Sequence, residues 1–178
     1  TLLFSSVLLT SCQGKKIKNT VFSVDDLAGK TIGVQLGTTG DTLVSDYETD
    51  GSGTTVSRYN KGSDAIQALK QGKADAVVID EQPALAFVKA NPDLTILEEE
   101  FANEDYAICV AKGNSLTAKL NEAIEVLMAD GTIQKLIDDY VGDNATFSGY
   151  KSPDGISRTN GTLVMATNAY FKPYEYYE

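Results

Sequence analysis

A chain of 178 residues, 42% hydrophobic and 22% charged, is long enough for one globular domain or two small lobes. Its 25 acidic residues outweigh 15 basic ones, and a formal charge of -10 argues against nucleic acid, whose phosphates need clustered Lys and Arg. With no His and only Cys12 and Cys109, the chain lacks the commonest catalytic base and any thiolate cluster, so neither an enzyme nor a bound cofactor is expected.

Residues 2–10 form an apolar run that reads as the core of a secretory signal, too short to span a bilayer permanently. The run leads into Leu9-Thr10-Ser11-Cys12 and then into polar Gln13-Gly14-Lys15-Lys16. This resembles the lipobox of bacterial lipoproteins, which makes Cys12 the expected lipidation site and residues 1–12 a signal with lipobox. The plainer alternative is an ordinary cleavage site with an incidental cysteine. Thr1 carries no Met or basic leader before it, so further natural sequence is expected upstream. Cys109 lies in the apolar run Tyr106-Ala107-Ile108-Cys109-Val110 and is expected to be a small buried hydrophobe.

From Val21 onward, short β-rich runs alternate with helical periods. Residues 31–36 predict a strand, 41–47 a short helix, and 54–59 a second strand after the turn Asp50-Gly51-Ser52-Gly53. Ser63 is placed to cap a helix through Gln71, with Ala65, Ile66, Ala68 and Leu69 facing inward and Gly72 as its stop. A third strand is expected at 75–80. Pro83 suits the first turn of the next helix, which ends near Asn91-Pro92. Further strands are expected at 94–97 and 105–111. Such an order predicts an α/β lobe over residues 21–111 with a mainly parallel sheet flanked by helices.

Two amphipathic helices follow in residues 112–141. One carries the stripe Leu116, Leu120, Ile124, Leu127 and Met128; the other, beyond Asp130-Gly131, carries Ile133, Leu136, Ile137 and Tyr140. Residues 142–161 are rich in Gly, Ser, Asn, Asp and Thr and read as a linker. Residues 162–166 then predict a buried strand, followed by Thr167-Asn168-Ala169-Tyr170-Phe171-Lys172-Pro173-Tyr174.

Two stretches carry the functional argument. Gly33-Val34-Gln35-Leu36-Gly37-Thr38-Thr39-Gly40-Asp41 runs from an apolar strand into a turn whose N–H groups and hydroxyls suit an anion. Ala76-Val77-Val78-Ile79-Asp80 is a second strand ending on a lone carboxylate that suits a cation. An α-amino acid carries both charges a few ångströms apart. If the two strands are neighbours, both loops open at one crevice beyond their carboxyl ends. Gln35 is placed to add a polar contact to the ligand's side chain. The alternatives stay open: Thr38 and Thr39 as helix-capping residues, and Asp80 as an N-cap ahead of Glu81-Gln82-Pro83. The acidic runs Glu98-Glu99-Glu100 and Glu104-Asp105 read as solvated edges.

Together these segments resemble the substrate-binding lipoproteins of amino-acid ABC importers, the two-lobed periplasmic-binding-protein type 2 group. Val24-Asp25-Asp26-Leu27-Ala28-Gly29-Lys30-Thr31-Ile32-Gly33-Val34 resembles the entry into that family's second lobe, and Ala129-Asp130-Gly131-Thr132 its C-terminal region. The resemblance implies that Gly37, Thr38 and Thr39 hold a ligand carboxylate and that Asp80 receives its ammonium. Residues 163–174 resemble the opening strand and ligand loop of the first lobe. By that likeness Asn168 touches the ligand side chain, and Phe171, with Tyr170, packs over it. The likeness covers residues 21–140 and 162–178, with the first lobe's opening strand at the wrong end of the chain and its carboxylate-clamping arginine unmatched. A truncated tandem gene, a permuted locus and an assembly artefact each account for that order.

The family implies a non-enzymatic protein, lipid-anchored on the extracytoplasmic side of the membrane, that delivers a polar or basic amino acid to an ABC permease. A sensory ligand-binding lobe and a dehydratase or lyase on the same fold are the competing readings. The second needs a general acid or base, for which Asp80 and Glu81 are the only obvious candidates.

Overall fold

The computed structural model describes residues 18–177 except Asp143 and Phe147. The signal and lipobox expectations, including Cys12, lie outside the described residues.

A turn of 3-10 helix at Val24–Leu27 leads into strand β1, Thr31–Gln35. Helix α1 (Thr39–Val44), a 3-10 turn (Ser45–Glu48), β2 (Thr55–Tyr59), α2 (Gly62–Lys70), β3 (Ala76–Val78) and α3 (Glu81–Ala90) follow. The three strands form a parallel sheet in the order β2-β1-β3, with Ile32 opposite both Val56 and Ala76. Being central, β1 is covered on both faces, so Ile32, Gly33, Val34 and Gln35 are all buried and no inside–outside alternation shows.

The two faces differ in what covers them. Ile32 and Val34 join Val21, Leu27, Val44 and Val56 in the main core cluster, which places α1 on their side. Gly33 points the other way, where a Cβ would meet Val77 at 3.2 Å and Ala65 of α2 at 3.6 Å. The β1–α1–β2 and β2–α2–β3 crossovers therefore cover opposite faces, and the β1/β3 boundary is the point where the chain switches sides.

Several predicted elements shift. The helix expected at 41–47 begins at Thr39 and tightens into a 3-10 turn after Val44. Ser63 is not a cap: the α2 N-cap is Lys61, and the Gly62 N–H donates instead to Gln35 Oε1 at 3.1 Å. The third strand shortens to three residues.

Three expected strands, at 94–97, 105–111 and 162–166, have no strand conformation. A strand needs a neighbour to satisfy its backbone, and the outer edge of β3 pairs with none of the described residues. Accordingly Tyr106, Ile108, Leu163, Val164 and Met165 are exposed. Cys109 is also an exposed free thiol rather than a buried hydrophobe.

Helices α4 (Leu116–Ala129) and α5 (Thr132–Tyr140) form on the predicted stripes, with Gly131 between them at φ 80°. They pack on each other, with none of their residues fully buried. Residues 142–161 hold no helix or strand among the described residues. The tail ends in a small antiparallel hairpin, β4 (Tyr170–Phe171) with β5 (Glu175–Tyr176). Its Phe171 is 8% exposed, and that burial ties the hairpin to the lobe.

Candidate functional site

At the switch point, β1 runs into Gly37-Thr38-Thr39 and neighbouring β3 ends just before Asp80. The loop after β1 is held by its own side chains. Gly37 adopts φ 78°, a left-handed conformation that favours Gly. Its N–H donates to Asp41 Oδ2 at 2.9 Å, while Arg58 Nε donates to Asp41 Oδ1 at 2.7 Å. Arg58 also reaches Ser45 Oγ and Glu48 Oε2, each at 2.8 Å, and so staples β2 to the α1 region. The Gly37 N–H first, and Arg58 after it, hold the buried Asp41 carboxyl below the usual carboxylate range.

Thr38 is a helix cap. Its hydroxyl donates to the Gln35 carbonyl at 2.9 Å and accepts from the Asp41 N–H at 3.3 Å. With Gly37 and Asp41 taken, the first-turn donors left over are the N–H groups of Thr39 and Gly40. Gly40 is needed where it stands, since a Cβ there would approach Val78 side-chain and carbonyl atoms to 3.3 Å. Close seating brings the start of α1 down beside the end of β3.

Asp80 is the N-cap residue of α3 by position, yet its side chain makes no capping hydrogen bond. It accepts instead from the Tyr106 hydroxyl. Tyr106 packs against Tyr174 with ring centroids 5.0 Å apart, and Tyr174 stacks on Phe171 at 6.1 Å. Desolvation, and then the Asp80 charge, push the Tyr106 hydroxyl well above its ordinary range. It is a donor at any ordinary pH.

These groups enclose a cavity of about 280 Å³ lined by Gly37, Thr38, Thr39, Asp80, Asn168 and Phe171, together with residues 104–107 and Glu175. Six of the residues singled out from the sequence thus meet in one place. Asn168 uses its side-chain oxygen to accept from the Tyr170 N–H at 3.1 Å, which fixes its turn. Gln35 and Tyr170 lie elsewhere. Gln35 is 3% exposed and spent on Gly62, and both residues line a second, larger cavity of about 640 Å³ between α2, α3 and the tail hairpin. Tyr170 there carries Lys61 Nζ over its ring at 4.0 Å. The expected Gln35 contact at the cavity mouth is replaced by a structural one.

Sequence reasoning missed Glu104 and Tyr106, having read the first as a solvated edge and the second as part of a strand. Glu104 lines the same cavity as Thr39 and Asp80. Neither residue belongs to a periodic element, so nothing local marks them. Asp41 had a signal, the Thr-x-x-Asp spacing of Thr38 and Asp41 that marks a helix N-terminus. Among the described residues no group of acidic, Cys or His side chains suits a metal ion, and no helix is long and apolar enough to cross a membrane. The charged lining residues are all acidic: Asp80, Glu104, Asp105 and Glu175. Such a cavity suits a ligand that brings positive charge, with a few donors at the Thr39 end for an anionic group.

No protein-family model matches the chain. The L-cystine-binding protein TcyJ of Escherichia coli (strain K12) is 33% identical over 135 residues, covering 72% of this chain and 48% of that protein. ABC transporter arginine-binding protein 1 of the same organism is 34% identical over 129 residues, covering 69% of this chain and 52% of its own length. Among solved structures, an ancestral arginine-binding protein bound to arginine superposes with a TM-score of 0.63 and 42% identity, over 70% of this chain and 56% of that one. The chain spans about half the length of these relatives. Over some seven-tenths of its length the chain is homologous to amino-acid-binding proteins of ABC transporters.

Proposed function

We propose that the chain binds an amino acid with a cationic side chain at the β1/β3 switch point, outside the cytoplasm, for delivery to an ABC importer. It performs no chemistry on the ligand. The observation that carries this reading is the convergence of Thr39, Asp80, Asn168 and Phe171 on a cavity whose charged lining groups are all carboxylates. A neutral zwitterion adds no net charge to such a site, whereas arginine or lysine adds one positive charge. The names of relatives that bind arginine point the same way.

In this account Asp80 receives the ligand ammonium, displacing or sharing the Tyr106 hydroxyl. The Thr39 hydroxyl and the first-turn N–H groups receive the carboxylate. Each charge-assisted hydrogen bond contributes roughly 1.5–3 kcal/mol. Phe171 and Tyr174 cover the aliphatic and cationic part of the ligand, adding a cation–π contribution. Cys12 carries the lipid that holds the protein at the membrane surface, and the importer's permease is its protein partner.

Thermal unfolding of the protein against a panel of amino acids tests this reading. A ligand that binds only the folded state raises stability by about 2.7 kcal/mol at a hundredfold excess over Kd. The expected result is an upward shift with arginine or lysine, and little or none with glutamate or leucine. A shift with acidic amino acids alone, or with none of the panel, contradicts it.

A further inference from the structure

Glu104 lines the smaller cavity together with Thr39, at the start of α1, and Asp80, just past the end of β3. Both the Thr39 hydroxyl and the Asp80 carboxyl act on its titration. Its own segment also supplies Tyr106, whose hydroxyl donates to Asp80 from another side. Two carboxylates facing one small cavity repel when both are ionised, and a proton on one relieves the repulsion. A ligand ammonium, with three donors, satisfies the same pair and renders that proton unnecessary.

We propose that Glu104 is a second ligand-binding carboxylate that grips the ammonium jointly with Asp80, so that ligand competes with a proton for the pair and affinity rises with pH. This rests on the amino-acid-binding reading above and names one of its specificity-determining residues. Other titratable groups facing the pair are Asp105 and Tyr106 on the same segment, and Tyr174 and Glu175 on the tail hairpin. None of them is basic, so among the described lining residues no cation stands in for the ligand's.

The direction of titration fits. The Thr39 hydroxyl pulls the Glu104 carboxyl down, but partial burial and the Asp80 charge outweigh it and hold the group above the usual carboxylate range. A protonated Glu104 cannot accept the ammonium's charge-assisted bond. Binding is therefore weakest below the raised pKa and strengthens as pH rises through it.

Calorimetric titration of the full chain with L-arginine between pH 4.5 and 8 tests the proposal, using wild type, Glu104→Gln and Glu104→Asp. Wild type is expected to gain affinity with pH. Glu104→Gln keeps a hydrogen-bonding partner for Thr39 but loses the charge; it should bind about tenfold more weakly at pH 7.5, with a flattened profile. Glu104→Asp should restore the pH dependence, though not the full affinity. The ligand-free unfolding temperature of Glu104→Gln should not fall below that of wild type, since losing one of two facing carboxylates relieves repulsion. If Glu104→Gln binds with wild-type affinity and slope, Glu104 is a bystander and this inference fails while the binding reading stands. If wild type binds arginine at no pH, the binding reading itself fails and the inference falls with it.

Discussion

Asp80→Asn is expected to weaken arginine binding roughly 30- to 150-fold, about 2–3 kcal/mol, with no loss of ligand-free stability. The substitution preserves size and one acceptor, so the loss reads the charge. Asp80 makes no capping bond to α3, and the helix does not depend on its side chain. Its side chain accepts from the Tyr106 hydroxyl, a bond the Asn side-chain oxygen can also accept. An ammonium has no such indifference: at about 4 Å a unit pair is worth roughly 4 kcal/mol at an effective dielectric of 20. Half-burial of Asp80 and competition from Tyr106 bring the expected loss below that figure. Equal affinities for wild type and Asp80→Asn would show that the ligand cation goes elsewhere.

Ile32→Ala is expected to be the most damaging simple truncation, destabilising the lobe by about 2–5 kcal/mol and lowering Tm by roughly 10–25 °C. Ile32 is 0% exposed at the middle of the central strand, between Val56 and Ala76 in register, and within the cluster of Val21, Leu27, Val34, Val44 and Val56. The cluster has few members to close over the cavity. A natural domain has only about 5–15 kcal/mol in hand, so such a loss is a large share of the whole. The matched control is Leu163→Ala. Leu163 is 67% exposed, and its truncation should move stability by less than about 0.5 kcal/mol. Melting curves of the two variants check both values. A large effect at Leu163 would mean that residues 162–166 are paired after all.

That contrast also marks what the sequence could and could not say. The run Thr31–Gln35 was legible as a strand because its composition and the Gly-Thr-Thr-Gly turn after it are local signals. The helices from Gly62, Glu81, Leu116 and Thr132 were legible from their apolar spacing. Composition alone does not reveal whether a strand finds a neighbour. Residues 105–111 and 162–166 have strand-like chemistry but no place on the sheet, so their apolar side chains are exposed.

At the site, Thr39 and Asp80 were legible because a parallel sheet that switches sides brings adjacent strand ends to one crevice. Gln35 was misplaced for a geometric reason. In β1, where successive side chains alternate faces, it points with Gly33 toward α2, where the Gly62 N–H needed an acceptor. Thr38 lines the cavity but spends its hydroxyl on the capping bonds, so the two readings of it were not exclusive. Glu104 and Tyr106 lie more than twenty residues beyond Asp80, in a stretch without period, and only the folded chain brings them back to it.

The ligand's carboxylate has the weaker anchorage. Arg58, on β2, is bound to Asp41 and Glu48, where it braces the loop after β1. In the proposed binding mode the ligand's carboxylate meets the Thr39 hydroxyl and backbone donors, while its cation meets the Asp80 and Glu104 carboxylates. The asymmetry favours ligands chosen for their positive groups.

The most direct measurement is a backbone amide chemical-shift map of the protein during titration with L-arginine. The account predicts that the perturbed amides concentrate at 37–39, at Asp80, at 104–107 and at Asn168 and Phe171, all lining the smaller cavity. Perturbations confined to 86–90 and 176–177, on the larger cavity, or no perturbation at millimolar arginine, would contradict it.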